Sequence, residues 1–312
     1  MIEEKTRERK KKTYSFKKNW QLYCLLLLPM LFLAVFNYYP MYGAIIAFKD
    51  YHIGSDILTS AWADNFGLEH FIRFFSNYNF KECLLNTLGL SVYNLLVSFP
   101  CAILLALCLN YVSKTWFRKT VQMVSYFPYF ISTIVLVGMI NVLFNTRTGA
   151  IGALLNQITG TNLLASTAAF PSLYVWSGVW QMVGFNAIIY ISSLSGVDTQ
   201  LHEAAVVEGA TILQRIRYID LPAILPTACI LMILNVGSIL NIGYEKILAM
   251  QNPNNLSASE VISTYSYKVA LSSSIPDFSY ATAIGLFQSA IGFILLVIVN
   301  KVVKKLSGDS LW

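Results

Sequence analysis

The chain has 312 residues, of which 56% are hydrophobic and only 12% are charged, and its net charge is +6. A soluble globular domain carries about 25% charged residues, so this chain cannot cover a water-facing surface and the composition predicts a polytopic helical membrane protein. The apolar runs do not alternate with polar residues, which argues against a transmembrane β-barrel. The five cysteines form no CxxC pair and the three histidines are scattered, so no metal site is predicted.

Residues 1–19 form a basic segment ahead of the first apolar run. Eight of the 22 Lys and Arg residues lie within the first 18 residues, a concentration that argues against nucleic-acid binding. No small-residue cleavage site follows the run, so we predict a cytoplasmic tail and a retained first helix rather than a secretory signal. A simpler role for the tail is to set the orientation and to contact anionic lipid.

Six apolar runs are each long enough to cross a bilayer as a helix of about 20 residues. The predicted spans are about 21–40, 88–109, 121–144, 173–193, 221–244 and 281–303. With the N-terminus inside, 16 of the 22 Lys and Arg residues lie on the cytoplasmic side, as the positive-inside rule requires. We therefore predict an all-α membrane domain, residues 20–312, with six transmembrane helices and both termini in the cytoplasm. The uncharged stretch 148–172 is interpreted as an external connection with a short helix.

The external segment 51–81 carries an apolar stripe within "LEHFIRFFSNYNF". Leu68, Phe71, Phe74 and Phe75 share this stripe. Such a helix commonly rests in the membrane interface, and the alternative is that it helps to receive a partner protein.

The cytoplasmic connection 198–222 reads "EAAVVEGATILQRIRYIDLP" from Glu203 onward. The pattern predicts two short helices, 201–208 and 212–218, joined by a turn at Gly209, with Asp220 capping the fifth span. Small residues beside one carboxylate suit close docking against another protein. An amphipathic loop that rests on the lipid surface is the alternative.

The spacing within this connection resembles the EAA motif of permease subunits in binding-protein-dependent ABC importers. The matching positions are Glu203, Ala204, Ala205, Gly209, Ile219, Leu221 and Pro222. The resemblance implies that the first short helix is a coupling helix that docks into a cleft on an ATPase subunit. Glu203 would then make a polar contact, the alanines would allow close approach, and Gly209 would form the turn. Relatives often have Asp before this glycine, where this chain has Glu208.

Longer stretches resemble sugar permeases of the maltose type. "WQMVGFNAIIYISSLSGVD" leads into the motif, and "NVGSILNIGYEKI" and the C-terminal "GDSLW" are similar to the branch that imports oligosaccharides and polysaccharide fragments. The resemblance implies the permease fold of type I ABC importers in a bacterial plasma membrane. It also implies a second, homologous permease (a heterodimer), two ATPase subunits, an extracellular sugar-binding protein and an oligosaccharide cargo.

The chain contains no Gly-Lys pair and hence no P-loop, and no catalytic cluster stands out. We therefore predict that it is not an enzyme and holds no cofactor, and that ATP and Mg²⁺ bind to partner ATPase subunits. Two alternatives stay open. One is a permease of the same importer type for another class of solute. The other is a stand-alone secondary transporter, although no predicted span has an ionisable residue in its central part.

Polar and aromatic side chains at membrane depth are the candidates for the substrate pathway, because sugars bind to aromatic faces and amide groups. These candidates are Trp180, Gln181, Asn186, Asn235, Asn241 and Tyr244. Helix–helix packing or a place in the interfacial belt is the alternative for each residue. Glu245 and Lys246 are predicted to pair at the outer surface.

Overall fold

The computed structural model describes residues 20–307, so the predicted tail 1–19 and the C-terminal residues 308–312 lie outside the described residues. Within residues 20–307 the regular structure is helical, and the β pairing is limited to one isolated bridge between Lys49 and Trp62. Helices satisfy their own backbone hydrogen bonds, which is what an apolar chain needs in lipid.

The first predicted span is a continuous helical segment from Trp20 to Phe48. It comprises α1 (Trp20–Leu33), a π-helical turn (Ala34–Tyr38), α2 (Tyr39–Met41) and a 3₁₀ segment (Tyr42–Phe48). The π turn contains Phe36, four residues before Pro40, where a proline ring would otherwise clash with the helix backbone. None of the most apolar stretch of this segment is buried against the rest of the protein.

The predicted external connection that follows contains a left-handed turn, α3 (Asp64–Gly67), and a short amphipathic helix, α4 (Glu69–Ser76). Phe74 in α4 is completely buried and packs edge-to-face on Phe80 and Phe287. The predicted apolar stripe therefore places Phe74 in the core of the protein rather than on a membrane surface or a partner.

The third predicted span is broken into two helices. The chain continues through α5 (Phe80–Asn110), α6 (Thr115–Tyr126), a 3₁₀ turn (Phe127–Phe130) and α7 (Thr133–Leu143). The axis bends by 99° at the break, where the turn contains Pro128. Gln181 Nε2 donates to the carbonyl of Ile131 at 2.8 Å, and Ser132 caps α7, so the break leaves these backbone groups satisfied.

The next two helices are α8 (Ala150–Thr159) and α9 (Phe170–Ser195). The first lies in the predicted external connection and the second corresponds to the fourth predicted span. Gly184 in α9 lies directly against the backbone of α6, because a Cβ built on it would stand 2.1 Å from the carbonyl oxygen of Ser125. Only glycine allows two helix backbones to approach so closely.

The predicted cytoplasmic connection contains one separate helix and the start of the fifth long helix. Its elements are α10 (Thr199–Val207), α11 (Ile212–Arg215), a π-helical turn (Ile216–Asp220) and α12 (Leu221–Gly237). The helical segment is continuous from Ile212 to Gly237, so the prediction of a second short helix separate from the fifth span is wrong, and Asp220 does not cap that span with its side chain. As at Pro40, the π turn contains the residue four positions before a proline, here Pro222.

The fifth predicted span ends at Gly237 rather than near Tyr244, and the chain then runs through short helices to the last long one. These are α13 (Tyr244–Met250), α14 (Leu256–Ser259), α15 (Ile262–Tyr267), a π-helical turn (Lys268–Ser272) and α16 (Phe278–Ser307).

Four helical segments of the described chain are long and apolar enough to cross a membrane, or five if the bent pair α6–α7 counts as one span. The helix of the fourth predicted span, α9, has the length but is not among them. The six-span count and the cytoplasmic position of both termini therefore stay predictions.

Helix α9 lies at the centre of the packing, against α5 on one side and α12 on the other. The buried cluster that joins the three helices contains Ala102, Ala106, Leu107, Ala187, Tyr190, Leu194, Ile224 and Ala228. Half of its members are alanine, and small side chains bring helix axes close together in a membrane protein.

We expect Gly184→Ala to lower the thermal unfolding midpoint of the detergent-solubilised protein. The added methyl group must displace the Ser125 backbone, and overpacking of this kind costs about 1–3 kcal/mol. Gly89→Ala is the matched control, because a Cβ at Gly89 meets nothing within 4 Å and a glycine in a helix is otherwise less stable than alanine. An unchanged midpoint for Gly184→Ala would contradict the close contact between α6 and α9.

Candidate functional site

A cavity of about 250 Å³ lies among α5, α9, α12 and the segment 238–243 that follows α12. Its polar lining consists of Ser91, Asn94, Ser98, Tyr174, Asn186, Tyr190, Asn235, Ser238 and Asn241. Ser91, Asn94 and Ser98 follow each other at intervals of three and four residues, which places them on one face of α5. Among the described residues that line the cavity there is no Asp, Glu, Lys or Arg.

The side-chain amides of the cavity differ in how far the protein itself satisfies them. Asn235 Nδ2 donates to the carbonyl of Leu231 at 2.8 Å, within its own helix. The amides of Asn94 and Asn186 are half-buried in the cavity wall, and neither has a side-chain hydrogen bond within residues 20–307. Because polar groups out of water need partners, these amides are suited to hydrogen-bonding a polar ligand that enters the cavity.

Three aromatic side chains, Phe99, Tyr174 and Tyr190, contribute to the same wall. Lys246 lies behind Tyr174, where its Nζ donates to the Tyr174 carbonyl at 2.9 Å and stands 4.8 Å from the ring centroid. The predicted surface pair of Glu245 and Lys246 is wrong, because Lys246 is only 8% exposed. Burial lowers the pKa of Lys246 to about 8.

Three of the six predicted pathway residues line this cavity, namely Asn186, Asn235 and Asn241. The other three lie outside its lining. Trp180 is 48% exposed, Gln181 bonds to the break in the third span, and Tyr244 stacks on Tyr267 with ring centroids 5.5 Å apart.

The sequence reasoning missed the contribution of α5. Asn94 and Ser98 lie in a predicted span, and their four-residue spacing on one helical face was the available signal.

The predicted cytoplasmic connection begins with a well-formed helix. Asp198 caps α10 by accepting from the Gln200 amide at 3.0 Å. At the other end Gly209 has a φ of +82°, and the amides of Gly209 and Ala210 donate back to the carbonyls of Val206 and Ala205. This pair of hydrogen bonds is the Schellman ending of a helix, which requires a left-handed residue and therefore favours glycine.

The seven motif positions fall into two groups in this structure. Glu203, Ala204 and Ala205 lie on α10, with Glu203 and Ala204 exposed. Ile219, Leu221 and Pro222 lie in the continuous helix that leads into α12, and Gly209 forms the turn between the groups. Thr211 and Gln214 form a capping box that starts the second helix directly after this turn.

Apolar side chains are exposed on α10 and at the start of the helix that follows the Gly209 turn. These are Leu201, Val206, Val207, Ile212 and Leu213, with exposures between 54% and 87%. An exposed apolar patch next to small residues is typical of a surface that another protein covers.

Comparisons with known proteins agree with this architecture. Residues 98–308 match the family model described as binding-protein-dependent transport system inner membrane component. Protein LplB of Bacillus subtilis (strain 168) is 36% identical over 300 residues, which cover 96% of this chain and 93% of that protein. The polygalacturonan/rhamnogalacturonan transport system permease protein YteP of the same organism is also 36% identical, over 99% of this chain and 95% of YteP.

A solved structure has the same fold. It is the crystal structure of a bacterial alginate ABC transporter in complex with an alginate pentasaccharide-bound periplasmic protein, and the matching chain is 32% identical with a TM-score of 0.84. The match covers 95% of this chain and 98% of that chain. The chain therefore belongs to the family of binding-protein-dependent transport system inner membrane components, and it is a multi-pass transport permease rather than an enzyme.

Proposed function

We propose that this chain is one of two permease subunits of an ATP-driven importer, and that it moves an oligosaccharide which an extracellular binding protein delivers. The observation that carries the proposal is the cavity among α5, α9 and α12. Its wall combines half-buried amides that lack protein partners, those of Asn94 and Asn186, with the aromatic side chains of Phe99 and Tyr174. Sugars are recognised by this combination of amide hydrogen bonds and aromatic faces.

The relatives support a carbohydrate cargo. YteP is named for transport of polygalacturonan and rhamnogalacturonan, and the solved neighbour carries alginate fragments on its periplasmic protein. The absence of ionisable groups from the described cavity lining argues against an ion-coupled mechanism, which would place such a group at the site.

ATP and Mg²⁺ would bind to two partner ATPase subunits, because the chain has no P-loop. The coupling surface would be α10 with Glu203, Ala204 and Ala205, together with the apolar side chains around the Gly209 turn. A second, homologous permease would complete the translocation pathway. The segment Trp20–Phe48 supports this arrangement, because its most apolar stretch is unburied in the single chain and offers a surface for a partner permease or for lipid.

We expect Asn186→Leu to raise the half-saturating concentration for sugar uptake by about tenfold. This change corresponds to the loss of one or two hydrogen bonds to the sugar. The measurement is uptake of labelled oligosaccharide into proteoliposomes that contain the complete transporter, at several concentrations of loaded binding protein. Asn254→Leu is the control, because Asn254 is exposed and lies outside the cavity. Equal uptake by the two variants would sink the assignment of the cavity as the sugar site.

We expect Gly209→Asp to abolish ATP-coupled uptake while the protein still inserts in the membrane. Aspartate is strained at the positive φ of this position, and it adds a carboxylate beside Glu208 on the docking surface. Gly160→Asp is matched in backbone strain, since Gly160 has a φ of +66° at the end of α8, outside the coupling surface. Coupled uptake and ATP hydrolysis are measured in the same vesicles, and wild-type uptake by Gly209→Asp would count against the coupling role.

The cargo is tested by thermal stabilisation of the cognate binding protein with a panel of oligosaccharides, both uncharged and uronate-containing, and with a second panel of amino acids and short peptides. We expect at least one oligosaccharide to raise the unfolding temperature and to stimulate uptake by the reconstituted transporter. Stabilisation only by amino acids or peptides would assign the permease to another class of solute.

A further inference from the structure

The carboxylate of Asp220 is fully buried at the cytoplasmic end of α12, although the residue lies in the charged connection between two long helices. A buried carboxylate is costly unless other groups compensate its charge. Two side chains contact it here and a third packs on one of them, each from a different element. They are Tyr111, which directly follows α5, His202 in α10, and Arg215 in α11. We call these three residues and Asp220 the Asp220 cluster.

The contacts within the Asp220 cluster are short. Tyr111 Oη donates to Asp220 Oδ2 at 2.6 Å, and His202 Nε2 lies 3.3 Å from Oδ1 as an electrostatic contact rather than a well-aligned hydrogen bond. The Tyr111 and His202 rings meet edge-to-face with centroids 6.4 Å apart. The Arg215 guanidinium stands 5.2 Å from the centre of the Tyr111 ring, so it packs on the tyrosine that donates to the buried carboxylate.

The phenol of Tyr111 remains a donor because its proton is held tightly. Burial of the phenol, and then its hydrogen bond to Asp220 and the negative charge of that residue, raise the pKa of Tyr111. The phenol therefore keeps its proton and acts as the donor in the hydrogen bond to Asp220.

The Asp220 cluster connects α10, which carries the proposed coupling surface, to the two long helices α5 and α12. Along the chain, α10 reaches α12 only through the exposed turn around Gly209. Through the cluster, His202 on α10 contacts Asp220 at the start of α12, and Asp220 in turn holds Tyr111 at the end of α5. If α10 moved without α5 and α12, it would withdraw the His202 side chain from a carboxylate that is fully buried.

We propose that Asp220, together with Tyr111 and His202, forms a rigid joint that passes movement of α10 to α5 and α12, so that these are positioning residues for energy coupling. This inference rests on the proposed function, in which a partner ATPase subunit moves α10. The contacts that form the joint lie within this chain. None of the three residues belongs to the seven motif positions named above.

Tyr111→Phe is the decisive variant, because it removes one oxygen and leaves the ring in place. In the complete reconstituted transporter we expect the sugar moved per ATP hydrolysed to fall about tenfold, within the usual range for energetic coupling between sites. The ATPase subunits should co-purify at wild-type stoichiometry, because the docking surface is unchanged. Tyr218→Phe is the matched control, since Tyr218 lies in the same connection, is 70% exposed and keeps its hydroxyl outside the cluster.

Asp220→Asn and the double variant Tyr111→Phe/Asp220→Asn complete a double-mutant cycle. We expect the double variant to lose no more coupling than Asp220→Asn alone, because both changes break the same contact. His202→Gln, which keeps a polar side chain, should retain more coupling than His202→Leu. The joint is refuted if Tyr111→Phe keeps the wild-type ratio of sugar to ATP. It is equally refuted if the loss merely follows a loss of ATPase subunits from the complex.

A second readout requires no sugar. Spin labels at Gln200 on α10 and Leu104 on α5, both exposed, report the distance across the joint with and without nucleotide. In the otherwise wild-type complex we expect the distance between the two labels to be the same with and without nucleotide. In Tyr111→Phe we expect this distance to depend on nucleotide. A distance that changes in the otherwise wild-type complex overturns the proposal. If that complex moves no sugar, the proposed function fails while this measurement still decides on the joint.

Discussion

The fold of this protein is constrained by the free-energy cost of taking polar groups out of water. The chain has too few charged residues to form a water-facing surface, so its polar groups must find hydrogen-bond partners within the protein. At two interruptions of the helical backbone, a side chain from another helix supplies a partner. Gln181 reaches the carbonyl of Ile131 at the break in the third span, and Ser91 reaches the carbonyl of Ile239 beyond the end of α12. In the reverse arrangement, the backbone carbonyl of Tyr174 within α9 accepts from the buried ammonium of Lys246. Against this background of satisfied groups, the unpartnered amides of the cavity stand out as places for a ligand.

The same two helices carry both the cavity and the Asp220 cluster. On α12, Asp220 precedes Asn235 by fifteen residues, and on α5, Asn94 precedes Tyr111 by seventeen residues. At 1.5 Å per residue these separations correspond to about 22 and 26 Å along the helices. Under the proposed joint, a movement of α10 would therefore reach the cavity through two continuous helices. These helices are linked to each other at the buried carboxylate of Asp220. This geometry explains how a chain without a nucleotide site could change the cavity in response to a partner.

Much of this organisation was predictable from particular residues. The EAA spacing from Glu203 to Pro222 and the longer sugar-permease stretches indicated the family, which the comparisons confirm. The ending of α10 at Gly209 followed from local rules, because a helix that stops in a left-handed residue favours glycine. Local rules failed at Asp220, where an acidic residue before a proline looks like a helix cap. The π turn lets the helix run through that position, and the carboxylate instead meets side chains that are distant in sequence.

The sequence by itself determined the class of protein and the family, and it predicted the position of the coupling motif, because these depend on composition and on spacing between neighbours along the chain. The tertiary structure decided which polar residues share a space. It separated Trp180, Gln181 and Tyr244 from the cavity, and it brought Asn94 of α5 beside Asn186 of α9. Contacts of this kind join helices that are dozens of residues apart, and no periodicity within one helix specifies which face of another helix will lie against it.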